Sequence, residues 1–91
     1  MTNKQAMAGE ATVLTDLELE AIRARWTKAT PGPWKSFLEG REQISGSSFI
    51  MTGGEDLYLS GATNDDQDFI ASAHQDIPRL LAEIERLKAK K

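Results

Sequence analysis

Ala29-Thr30-Pro31-Gly32-Pro33-Trp34 directs the path of this chain more strongly than any other six residues in it. Pro31 cannot continue a helix, Gly32 permits a positive φ, and Pro33 locks the next backbone angle. Within six residues the chain therefore closes a helix, turns sharply and delivers Trp34 to the start of a strand.

Upstream of the turn, the signals for a helix over 16–28 agree with one another. Thr15 and Glu18 are spaced as a capping box, and Leu14 and Leu19 as a hydrophobic staple. Asp16, Glu18 and Glu20 gather at its start and Arg23, Arg25 and Lys28 at its end, as the helix dipole favours. Leu19, Ile22 and Trp26 recur at helical spacing and make the buried stripe. Residues 1–13 are small and polar without periodicity and read as a disordered lead. Residues 14–91 read as one domain.

Downstream, residues 34–38 alternate as a strand, with Trp34, Ser36 and Leu38 on one face and Lys35 and Phe37 on the other. A second strand is expected at 47–52 and a third at 56–60, joined across Gly53-Gly54 as an antiparallel hairpin. Thr63 or Asn64 then caps a helix whose inner face is Phe69, Ile70 and Ala73. Pro78 lacks an N–H, so the helix is expected to break near 75–77 and to restart until about residue 88. Ile77, Leu80, Ile84 and Leu87 follow a 3-4-3 spacing there, widened by Leu81. The fold class read from this order is α+β: an amino-terminal helix, a small antiparallel sheet of about three strands, and a long, broken carboxy-terminal helix packed on it. The expected core is Trp26, Trp34, Leu38, Phe49, Phe69, Ile70, Leu80 and Ile84.

Ninety-one residues suit a single small core, and the absence of cysteine removes disulfides, thiolate chemistry and cysteine-bound zinc. The net charge of −3 argues against nonspecific binding to DNA or RNA. No apolar run spans a bilayer and residues 1–9 do not form a signal peptide, so a cytoplasmic location is the expectation.

No catalytic set is legible, so no catalytic residue, metal ligand or cofactor is assigned and a binding protein is expected rather than an enzyme. His74 is the one histidine and reads as a helix-terminal or surface residue. Asp65, Asp66 and Asp68 read as first-turn acids, lacking the glycine and distal glutamate of a calcium loop. The candidate ligand site is the segment from Glu39-Gly40-Arg41 to Ser45-Gly46-Ser47-Ser48. It gathers a guanidinium, an acid and three hydroxyls, the groups that hold a small anionic ligand. Lys35 is a further cation, and Trp34 or Phe49 a stacking face. The same serines also read as a polar loop that satisfies its own backbone.

Three separated stretches, ATPGPW (29–34), EGREQISGSSFI (39–50) and GATNDDQDFIASAHQDIPRLLAE (61–83), resemble the small ATPGPW-type proteins of unknown function from temperate phages, prophages and their bacterial hosts. The resemblance implies an accessory phage-type protein in a bacterial cytoplasm, and brings no catalytic residues with it. By analogy with compact, homo-oligomeric phage proteins that sequester immune messengers, the expected function is binding of a small nucleotide-like anion. A cyclic nucleotide or a cyclic ADP-ribose-type molecule would be held by Trp34, Lys35, Glu39, Arg41, Ser45, Ser47 and Ser48. The alternative is a protein-interaction module docking a host or phage protein through its last helix. In either case a homodimer or larger oligomer is expected, through Ile77, Leu80, Leu81, Ile84 and Leu87.

Overall fold

A computed structural model of the chain describes residues 13–90, Gln43 and Ser45 excepted. The expected disordered lead lies, but for Val13, outside the described residues. The order of elements is α1 (Asp16–Lys28), β1 (Lys35–Phe37), β2 (Phe49–Met51) and α2 (Asn64–Ala89), an α+β arrangement. No helix among the described residues is long and apolar enough to cross a membrane.

Both helices begin as their sequences dictate. Thr15 caps α1 and Thr63 caps α2, each in a complete capping box, with Glu18 and Asp66 reaching back to the cap N–H. α1 and α2 run antiparallel: Asp16 at the start of α1 pairs with Lys88 at the end of α2, and Trp26 meets His74 further down.

The sheet is smaller than expected. β1 and β2 pair antiparallel with Lys35 opposite Met51 and Phe37 opposite Phe49. In place of a third strand over 56–60 there is a single bridge, in which Ile50 and Leu57 exchange N–H···O bonds of 2.9 Å. Gly53-Gly54 does turn the chain there, but its backbone is used elsewhere. The Gly53 N–H donates to Pro31 O at 2.7 Å, and Thr52 Oγ1 accepts from Gly54 and donates to Glu55 O. These bonds tie the turn to the proline loop instead of extending a ladder.

α2 does not break at Pro78. Pro78 has no N–H for the carbonyl of His74, four residues back, and that orphan acceptor is what ends most helices at a proline. Here Trp26 Nε1 donates to His74 O at 2.8 Å. A side chain of α1 supplies the bond that the proline cannot, and the helix runs unbroken over its 26 residues, about 39 Å.

The core consists of Leu19, Leu38, Ile50, Ala71 and Leu81, with Ile50 wholly buried. Of the expected core, Leu38 is buried, and Trp26, Trp34, Phe49 and Ile84 are half-buried. Phe69, Ile70 and Leu80 are exposed, at 72%, 38% and 61%. The helix is rotated relative to the expected orientation, so that Gln67, Ala71, His74 and Leu81 face inward. Polar side chains won this face because they satisfy backbone that an aliphatic side chain would orphan. Gln67 Nε2 lies within 3.0–3.2 Å of Ser36 Oγ, Phe37 O and Phe49 O, and so pins both strands.

Candidate functional site

The Ala29–Trp34 turn is fastened to α2 by two adjacent side chains. Gln75 acts as a short strand: its Oε1 accepts from Trp34 N at 2.9 Å and its Nε2 donates to Trp34 O at 3.1 Å. His74, expected at a helix end or on the surface, is buried in the middle of α2. Its ring stacks on Trp34 with centroids 4.4 Å apart and planes 5° from parallel, and lies 5.4 Å from Trp26. A Cβ on Gly32 would stand 2.9 Å from His74 Cε1, so the close ring, and not a positive φ, is what requires glycine at that position. His74 and Trp34 are thereby parts of a structural stack.

The Arg41 guanidinium does not stand free. It forms a fork on Asp68, with Nη1 and Nη2 at 2.9 and 3.2 Å from the carboxylate, and its Nε is 2.6 Å from Glu42 Oε2. The Asp68 bond, followed by that of Glu42, raises the Arg41 pKa. Arg41 in turn holds the Asp68 carboxyl below its usual range, with Ser36 helping. Glu42 is lowered first by the Leu38 N–H, 2.5 Å from its Oε1, and then by Arg41. The turn is thus clamped onto α2 by a cation between two carboxylates.

Trp34, Lys35 and Arg41 share an open hollow of about 390 Å³ along the outer edge of β1, with Ser36, Ser72 and Gln75. The other expected ligand residues are not among those lining it. Ser48 Oγ accepts from Glu39 N at 2.8 Å, Ser47 is exposed, and Ser45 lies outside the described residues. Lys35 Nζ sits 5.2 Å from the Phe37 ring. An anion binding at Arg41 displaces Asp68 and Glu42 or adds to two carboxylates already there. Asp68 is the ion-pair partner of Arg41 that the sequence did not reveal: read with Asp65 and Asp66 as a first-turn acid, it stands one turn into α2, where it faces Arg41. Among the described residues no three of His, Asp and Glu converge on a metal site.

The second candidate surface is the outer flank of α2. Leu14, Leu19, Ile22, Ile77, Leu80 and Ile84 line a groove of about 260 Å³ between the two helices, with Leu81 at its floor and no polar atom in its lining. Leu80 and Leu87 are 61% and 53% exposed along it. Leu81, expected among the interface residues, is buried at 4% exposure by the packing of α1, so it supports the groove from beneath. Ile77 and Ile84, which also line the groove, are half-buried.

Comparison with family models, with curated proteins and with solved structures found no match to this chain.

Proposed function

We propose that this protein is a non-enzymatic assembly module that pairs with a second copy of itself through the groove and outer flank of α2. The observation that carries the reading is the all-apolar groove flanked by Leu80 and Leu87, which no other part of the described chain covers. A monomer rarely leaves such a contiguous strip in water. The twelve residues ahead of Val13 offer only Met1 and Met7 as large apolar side chains, whereas a second copy brings an identical strip. Burying a leucine fully contributes about 1.5–3 kcal/mol, and roughly half of that is left for side chains already half covered. Two copies of Leu80 and Leu87 therefore supply a few kcal/mol before the isoleucines are counted. In the phage-type setting suggested by the ATPGPW motif, the module would act in a bacterial cytoplasm, presenting two copies of its surface to a host or phage protein.

Light scattering at high micromolar concentration tests this reading. The expected mass is about twice the 10.0 kDa of one chain, and Leu80→Asp, at an exposed position, returns it to one chain with the helical circular dichroism intact. A monomeric wild type would refute self-assembly.

A second reading is sequestration of a small anionic nucleotide, supported by the shared hollow of Trp34, Lys35 and Arg41. It requires Arg41 to exchange Asp68 and Glu42 for phosphate. Calorimetry with cyclic nucleotides and cyclic ADP-ribose isomers decides it. Binding that disappears in Arg41→Ala would establish the site, and no heat from any of them removes it.

A further inference from the structure

The exposed apolar residues of α2 are not confined to its last turns. With the half-buried Ala73, Ile77 and Ile84 between them, Ile70, Leu80 and Leu87 complete a 3-4-3-4-3 apolar spacing over most of the helix, and Phe69 stands beside the first of them. Such a repeat keeps one seam along the helix surface. Phe69 and Ile70 are exposed at one end of it, Leu80 in the middle and Leu87 at the other end.

Charge is segregated along the same helix. From Asn64 to Pro78 it carries Asp65, Asp66, Asp68 and Asp76 and no lysine or arginine. From Arg79 to Lys90 it carries Arg79, Arg86, Lys88 and Lys90 against Glu83 and Glu85. The acidic imbalance extends beyond the helix: from Glu42 to Pro78 the chain has seven carboxylates and no lysine or arginine.

We infer that two copies of α2 pair antiparallel over their full length, in the register that sets Ile70 against Leu87, Ala73 against Ile84 and Ile77 against Leu80. This inference rests on the self-assembly reading and names its geometry. Four considerations select it. A parallel pair would align the four aspartates of one copy with those of the other, whereas the antiparallel pair lays the basic end of each helix, Lys90 included, over Asp65 and Asp66 of its partner. The helix dipoles also oppose one another in that arrangement. A shift by one heptad one way would leave Phe69 and Ile70 of both copies in water, and the other way would set Ile84 and Leu87 against Asp66 and Thr63, whereas the full register covers both ends of the seam. The layers match in volume as well, since the small Ala73 meets the large Ile84 and no layer stacks two small residues. Asp76 and Glu83 approach one another across the seam in this register. Each already has an arginine one turn on, with Arg79 at 3.6 Å from Asp76 and Arg86 Nε at 3.1 Å from Glu83 Oε1.

The absence of cysteine makes crosslinking a clean test. Ile70→Cys and Leu87→Cys variants are mixed under mild oxidation, and each is also oxidised alone, with light scattering on the same samples. The expected result is a dimer by scattering and a mixed disulfide that forms at least tenfold faster than either self-disulfide. Ala73→Cys mixed with Ile84→Cys reads the same register if one of the first pair fails to fold. A dimer in which Leu87→Cys links fastest to itself, or in which neither mixed pair links, overturns this geometry and leaves self-assembly standing. A monomer overturns both.

Discussion

Trp26→Phe combined with Pro78→Ala tests why α2 runs unbroken through a proline. Trp26→Phe removes the Nε1 donor 2.8 Å from His74 O while keeping an aromatic ring against the His74 ring. In the presence of Pro78 that carbonyl then has no partner in a half-buried site, which costs about 1–3 kcal/mol. The smaller ring adds roughly another 1 kcal/mol of lost packing. With Ala at position 78 the backbone N–H returns to its ordinary acceptor four residues back, and only the packing loss remains. The two substitutions are therefore expected to couple by about 1–2 kcal/mol. Urea unfolding followed by far-ultraviolet circular dichroism reads this directly and does not depend on the deleted tryptophan. At a slope of about 1 kcal/mol/M, the Trp26→Phe shift in midpoint should shrink by about 1–2 M when Pro78 is replaced. Shifts that add within about 0.5 kcal/mol would refute the idea that the indole substitutes for the missing amide.

Gly53→Ala places a Cβ 2.6 Å from Pro31 O, against backbone that is itself bonded to Gly53 N, and should lower stability by about 1–3 kcal/mol in urea unfolding. Gly54→Ala meets only side-chain atoms, Thr30 Cγ2 at 3.1 Å and Thr52 Oγ1 at 3.8 Å, and serves as the milder control; equal losses at the two positions would contradict the close-approach argument. Ile50 is wholly buried between β1 and the Leu57 bridge, so Ile50→Ala is expected to cost about 2–5 kcal/mol, measured by the same unfolding. The Asp68 and Glu42 carboxyls are held below their usual range, so their stabilising contribution is complete above about pH 5 and is lost as acid carries the pH down through the lowered values. The Leu38 amide, bonded to Glu42, should report this in an NMR titration; a midpoint at or above the ordinary glutamate value would contradict the clamp.

Local chemistry was legible in the sequence by itself. The capping box of Thr15 and Glu18 sets the start of α1, Thr63 starts α2, and the two prolines around Gly32 end the first helix and turn the chain. These features depend on contacts only a few residues apart, so residue type and spacing suffice to specify them. The Glu39–Arg41 segment and the 3-4-3 run of Ile77, Leu80, Ile84 and Leu87 were legible as candidates for the same reason. What the tertiary structure decided involves partners far apart in the chain. Pro78 is tolerated because Trp26, 52 positions earlier, reaches the orphaned carbonyl. Arg41 is occupied because Asp68 comes to it from another element. Gln67 and Gln75 face the sheet while Phe69 and Leu80 face out, because backbone bordering α2 needs hydrogen-bond partners that only polar side chains supply, and His74 is held between them by its stack on Trp34. Hydrophobicity alone assigns the opposite face to the core. Backbone outweighs it here, since an unpaired N–H or C=O costs about as much as burying one aliphatic side chain contributes, and Gln67 and Gln75 each satisfy two such groups.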